Sequence, residues 1–137
     1  MKNLNLDQKM RDKIIGEHDE KFRTSSYFGG IKHFKNLPAT AVRYLLVVGL
    51  AHPDERQNLY GPSIEEFVDF MEKYPEVPLT AHGYVVSKER EDYRVSIEGL
   101  HAKSENIPEE VQKEFALAFR KADELKVSSS ELYCWYD

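Results

Sequence analysis

Between Leu79 and His101 the chain alternates apolar and polar residues in two runs, LTAHGYVVS and DYRVSIEGLHA, with the charged KERE between them. A period of two marks a half-buried strand, so the pattern predicts a hairpin with one buried and one wet face. With 88–91 as the loop, His82, Tyr84 and Val86 share a face with Tyr93, Val95 and Ile97. Ala81, Gly83 and Val85 share the other with Arg94, Ser96 and Glu98. The first set is more apolar and is expected to face the core. The loop lacks the Asn-Gly or Gly-rich pair that sets the register of a tight turn.

Helical periods surround this hairpin. Leu6, Met10, Ile14, His18 and Phe22 recur every four residues, with Asn5 as N-cap and Gln8 completing a capping box. Gly16 weakens that helix by about 1 kcal/mol relative to Ala. Residues 24–30 (TSSYFGG) read as a loop. The stretch 37–50 supports two readings. As a helix it has Pro38 in the first turn, Leu37, Ala41, Tyr44, Leu45 and Val48 on one face, and Gly49 as left-handed cap with Leu50 folding back. As a strand, only 44–50 qualifies, as a continuous apolar run. Start and stop signals both favour the helix. Ser63 and Glu66 form a second capping box, ahead of an inner face of Ile64, Phe67, Val68 and Met71. From Pro108 a long helix carries Val111, Phe115, Ala118, Phe119, Ala122 and Leu125 in one stripe. The aromatic LYCWY at 132–136 reads as a closing strand at the edge of the hairpin.

These elements predict one α+β domain over 1–137, with about four helices on a three-stranded antiparallel sheet and the helix and loop of 1–36 at its periphery. A strand at 44–50 would instead give the ferredoxin-like order β-α-β-β-α-β with an extra N-terminal helix.

Composition changes this picture little. The chain is 41% hydrophobic and 31% charged, as globular domains are. No apolar run nears the roughly 20 residues of a membrane helix, and the first residues are polar, so no secretory signal is expected. One cysteine, Cys134, rules out an internal disulfide. A cytoplasmic location follows as the simplest expectation. Charge is uneven: the net value is -5, yet the first fifty residues hold nine Lys/Arg against five Asp/Glu. An acidic body is a poor surface for coating nucleic acid, where phosphate contacts supply most of the affinity.

Candidate chemistry is sparse. None of the five histidines stands in H-x-x-x-H or H-E-x-x-H spacing, and no C-x-x-C occurs. A zinc trio of His82, His101 and Cys134 across the sheet lacks a fourth ligand, so no metal and no cofactor is expected. G-x-S-x-G, G-K-[ST] and G-x-G-x-x-G are all absent. Cys134 reads as a small buried hydrophobe, and the carboxylates at helix starts meet the helix dipole. A helix-turn-helix over 38–74 fails, because Pro53, Gly61 and Pro62 break it and its second helix is acidic.

Two surfaces remain. In 26–35 aromatics interleave with positive charge, which makes Lys32, His33 and Lys35 candidates for holding an anion or a base with its phosphate. On the wet strand face, Arg94, Ser96 and Glu98 beside Tyr133 and Trp135 would line a polar-aromatic groove for a partner or ligand. With no catalytic constellation in the sequence, the expectation leans away from an enzyme. It is a small binding or regulatory module acting through a protein partner. One alternative is a small-ligand binder or enzyme on the polar face, with Arg94 as anion clamp, Glu98 as acid/base and Tyr133 or Trp135 as stacking wall. Another is a nucleic-acid-associated or nucleic-acid-mimicking protein. The closing strand, as an exposed aromatic edge, would also allow a homodimer.

Overall fold

Two strands that the periodicity misses set the size of the sheet. The computed structural model describes residues 4–137, with side chains from Gln8 onward. The elements are α1 (Leu4–Gly16), α2 (Glu20–Thr24), β1 (Ile31–Pro38), α3 (Ala39–Val47), α4 (Ile64–Lys73), β2 (Thr80–Val86), β3 (Val95–Lys103), α5 (Glu109–Ala118), β4 (Glu124–Val127) and β5 (Glu131–Trp135). One sheet runs in the order β1-β2-β3-β5-β4, each neighbouring pair antiparallel. The α+β class holds, with five strands rather than three. The additional strands, β1 and β4, are the two edges, and both carry charge, which edges tolerate because one side of the ladder faces water. Leu125, expected at the end of the last helix, lies in β4 opposite Cys134.

The 37–50 stretch is helical from Ala39. Gly49 takes a φ of 76°, and the Leu50 N–H returns to the Leu45 carbonyl at 2.8 Å, burying Leu50. This removes the ferredoxin-like alternative, whose first strand was 44–50. The sheet also lacks the parallel pairing of a β-α-β unit. At α4 the second capping box forms: Ser63 Oγ accepts from the Glu66 N–H at 3.1 Å, and Glu66 Oε1 accepts from the Ser63 N–H at 3.0 Å.

The N-terminal stripe is interrupted. α1 stops at Gly16, and Phe22 enters the core from α2, whose N-cap Asp19 accepts from the Phe22 N–H. The buried face of α1 holds Arg11 and Ile15, while Met10 and His18 are exposed. α1 already runs at Leu4, so Asn5 lies within the helix and is not its N-cap; the Leu6 side chain lies outside the described ones, and Gln8 Oε1 accepts from the Lys88 backbone N–H at 2.7 Å. Residues 11–36 are therefore not peripheral, since Ile15, Phe22 and Phe34 are buried in the common core.

The hairpin lies where expected, but its register is displaced by one residue. Val85 stands opposite Val95 and Gly83 opposite Ile97. Ala81, Gly83 and Val85 thus face inward with Val95 and Ile97, and His82 and Tyr84 turn outward. A one-residue slip exchanges the two faces of a strand. The helices decide the outcome: small apolar residues fit beneath them, whereas an imidazole and a phenol would enter the core needing partners. Past Ile97 the register shifts, and Gly99 faces His82. The extra residue, Glu98, is a bulge that bends β3.

β5 is enclosed by β3 and β4 and is not an edge. The homodimer expected through it loses its geometry. Part of the free edge of β1 is occupied, by Ile31 exchanging backbone bonds with Phe28 and, at mid-strand, by the Lys35 N–H bonding Asp19 Oδ2 at 2.8 Å. Among the described residues no helix is long and apolar enough to cross a membrane. The inner sheet face joins the helices in one core, and the opposite face stays open.

Candidate functional site on the open face of the sheet

Alternation sends His33 and Lys35 of β1, His82 and Tyr84 of β2, His101 of β3, Lys126 of β4, and Tyr133 and Trp135 of β5 to the open face. Part of this face forms a cavity of about 310 Å³ lined by residues of all five strands. Lys35 and Asn36, Thr80 and His82, His101, Lys126, and Glu131 and Tyr133 surround it. Asn36, with φ at 67°, sits where β1 slips register against β2 and turns the strand over the cavity.

Tyr133 is the wall. Its ring stacks on His82, with centroids 5.4 Å apart and planes at 13°, and His101 meets it edge-on at 5.9 Å. Lys126 Nζ stands 5.8 Å from the same ring. Burial raises the Tyr133 phenol above its ordinary range, helped by Glu124. His101 Nε2 lies 2.9 Å from Glu131 Oε2, and this bond pulls the Glu131 carboxyl below the usual range. An imidazole oriented by a carboxylate is equipped to pass a proton to or from a bound group.

His82 is held differently. Its Nε2 is shut off from solvent with no hydrogen-bond partner among the described residues; the Cys134 carbonyl nearby favours the charged form but makes no well-formed bond to that nitrogen. Burial first, and the charge of His101 second, lower its pKa to about 4. An unfolded chain protonates this imidazole near 6.5, so between those values the unfolded state binds more protons. Stability attributable to neutral His82 is complete above pH 6.5 and is lost as pH falls toward 4, a window of roughly 3 kcal/mol. We expect a His82→Phe variant, which keeps the stacking on Tyr133, to show a shallower decline of urea-unfolding free energy between pH 7 and pH 4.5 than the native chain. Parallel declines would refute a buried neutral imidazole.

The residues expected to line a polar-aromatic groove are only partly assembled. Arg94 is engaged by the Tyr84 hydroxyl at 2.9 Å, Asp92 at 3.2 Å and Glu55 at 3.7 Å. Ser96 is fully buried and donates to Gln57 Oε1 at 3.2 Å. Neither shares the cavity with Tyr133. Glu98 does come beside Trp135, and lies 3.8 Å from His33 Nδ1. Burial raises its pKa. Of the anion-binding candidates, His33 and Lys35 face outward and Lys32 turns to the inner side. Cys134 is also on the inner side, fully buried, its thiol pushed up to about 12, so it does not meet the two histidines.

The sequence singled out His82 and His101 but not Thr80, Lys126 and Glu131 beside them. The signal was present: 124–127 alternates polar and apolar, and three serines at 128–130 separate it from LYCWY, as in a hairpin. The chain matches no family model, and no curated protein or solved structure is detectably similar to it.

Proposed function

We propose that the protein binds a small carboxylate-bearing molecule on the open face of its sheet. The supporting observation is the convergence of polar side chains from five strands on one cavity, with two lysines and a carboxylate already committed to His101. Its volume lies at the lower end of the roughly 300–1,000 Å³ usual for small-molecule sites. Lys35 and Lys126 neutralise the ligand, Tyr133 supplies a flat wall, and His101, oriented by Glu131, offers it a hydrogen bond. This favours the small-ligand alternative. The protein-partner reading rested on an aromatic strand at the sheet edge, and that strand lies between β3 and β4. The mimicry reading is weakened because α4 spends its acids internally: Asp69 and Glu72 bond Arg43 at 2.9 and 2.7 Å, and Glu66 lies 2.9 Å from Arg56.

Trp135, the chain's one tryptophan, stands two residues from Tyr133 on the same face and reports occupancy by fluorescence. Titration with a panel of small mono- and dicarboxylates is expected to give a saturable response, weakened about tenfold in Lys126→Ala, or about 1.4 kcal/mol. Native mass spectrometry of protein from its natural host should show a bound small mass. A flat titration across the panel together with a bare mass would sink this reading.

A further inference from the structure

A second cavity, about 410 Å³, runs beside β1 and α2, on the flank of the sheet. Lys21, Lys32 and Lys35 line it, together with Asp19, Ser26 and Phe28. Lys32 is the unusual member. It is only 9% exposed, and its ammonium rests against aromatic faces, 4.2 Å from the Phe22 centroid and 5.5 Å from that of Tyr27. Among the described residues it has no ion-pair partner within 4.0 Å. Rings attract such a cation but do not neutralise it. Asp19, the one carboxylate lining the cavity, forms no ion pair with Lys32 and is oriented toward the backbone N–H groups of Phe22 and Lys35, at 3.2 and 2.8 Å. The Lys32 stem is buried while the residue lines the cavity, so an anion entering there would meet an ammonium that no neighbouring carboxylate neutralises. Three lysines against one acid leave the cavity two positive charges in excess. A phosphate monoester carries about −1.5 to −2 at neutral pH.

The rim adds a second requirement. Phe28 is 90% exposed, yet its backbone is fixed by two hydrogen bonds with Ile31, at 2.9 and 3.1 Å. A large exposed ring carried on a fixed backbone at the mouth of a lysine-lined cavity offers a surface for stacking.

We infer that this cavity is a binding site for a small phosphate monoester bearing a planar ring, with Lys32 as the charge it neutralises and Phe28 as the surface its ring covers. The site is separate from the carboxylate cavity, although Lys35 borders both.

The test is an amide chemical-shift titration with phenyl phosphate, with inorganic phosphate and benzoate as comparisons. Phenyl phosphate is expected to bind at least about tenfold more tightly than either, with shifts centred on residues 25–35. Lys32→Met is expected to weaken phenyl phosphate about tenfold or more. Phe28→Ala, at a position too exposed to endanger folding, is expected to abolish the advantage over inorganic phosphate. His82→Phe is expected to leave it unchanged. The inference is overturned if phenyl phosphate gives no saturable shifts, if Lys32→Met binds as the native chain does, or if the shifts centre on Lys126 and Tyr133. Equal binding of phenyl phosphate and inorganic phosphate would overturn the assignment of a ring-bearing ligand.

Discussion

A Gly99→Ala variant is expected to lose more than about 3 kcal/mol of stability, at the upper end of what overpacking costs. At an unstrained position the same change helps by about 0.4–1 kcal/mol, because it restricts the unfolded chain. Gly99 is different because two groups press on its Cα. An added methyl would overlap the Cys134 carbonyl oxygen and lie 2.7 Å from the carbonyl carbon and 2.8 Å from His82 Nε2. The imidazole can swing, but the carbonyl belongs to β5. That strand is held to β3 by the Tyr136 N–H to Glu98 carbonyl bond at 2.8 Å and by the 101–103 ladder. Relief therefore requires parting two central strands. Urea unfolding followed by Trp135 fluorescence measures the loss. The displaced His82 should also weaken carboxylate binding in whatever fraction remains folded. A variant as stable as the native chain would show that β3 and β5 do not approach this closely.

Arg11→Met is expected to cost about 3 kcal/mol, the lower end for breaking a buried charged pair. The Arg11 side chain is fully buried on α1. Its Nη2 donates to the Tyr27 hydroxyl at 2.7 Å, Nε to Asp12 Oδ1 at 3.1 Å and Nη1 to the Val86 carbonyl at 3.4 Å. The Tyr27 hydroxyl in turn donates to Asp12 Oδ2 at 2.6 Å, and the guanidinium stands 5.0 Å from the Tyr93 ring centroid. Burial, and then Asp12, raise the Tyr27 pKa, so the phenol remains a donor. Methionine fills the space of the stem but leaves Asp12 with a hydroxyl in place of a cation. Asp12 keeps some contact with water, which is why the larger losses seen at fully closed sites are not expected. Arg11→Met, Asp12→Asn and the double variant, compared by chemical denaturation, give the coupling directly. Additive losses would mean that the pair contributes nothing beyond its separate parts.

Both residues escaped the reading of the sequence, for different reasons. Arg11 stands in a helix whose apolar residues recur every fourth position, and nothing in that spacing shows that a guanidinium lies on the buried side. In the sequence Gly99 is only one more position of the second strand, and its meaning depends on how near β5 passes. The edge strands were missed because their charge hides the period. In β1 the buried positions include Lys32, a residue no hydrophobic pattern counts as inward.

What the chain determined locally came through. The Ser63–Glu66 capping box, the end of α3 at Gly49 and the inward set Leu132, Cys134 and Tyr136 each depend on residues within one or two turns of one another. The α+β class follows from the same short-range periods. The tertiary structure alone decided the hairpin register, which five strands and the helices above them settled together by choosing the face with the least buried polarity. It also decided the cavity, since Lys35, His82, His101, Lys126 and Tyr133 come from five separate strands. Local order is written in neighbouring side chains, whereas a site spanning a sheet exists only once strands distant in sequence have paired.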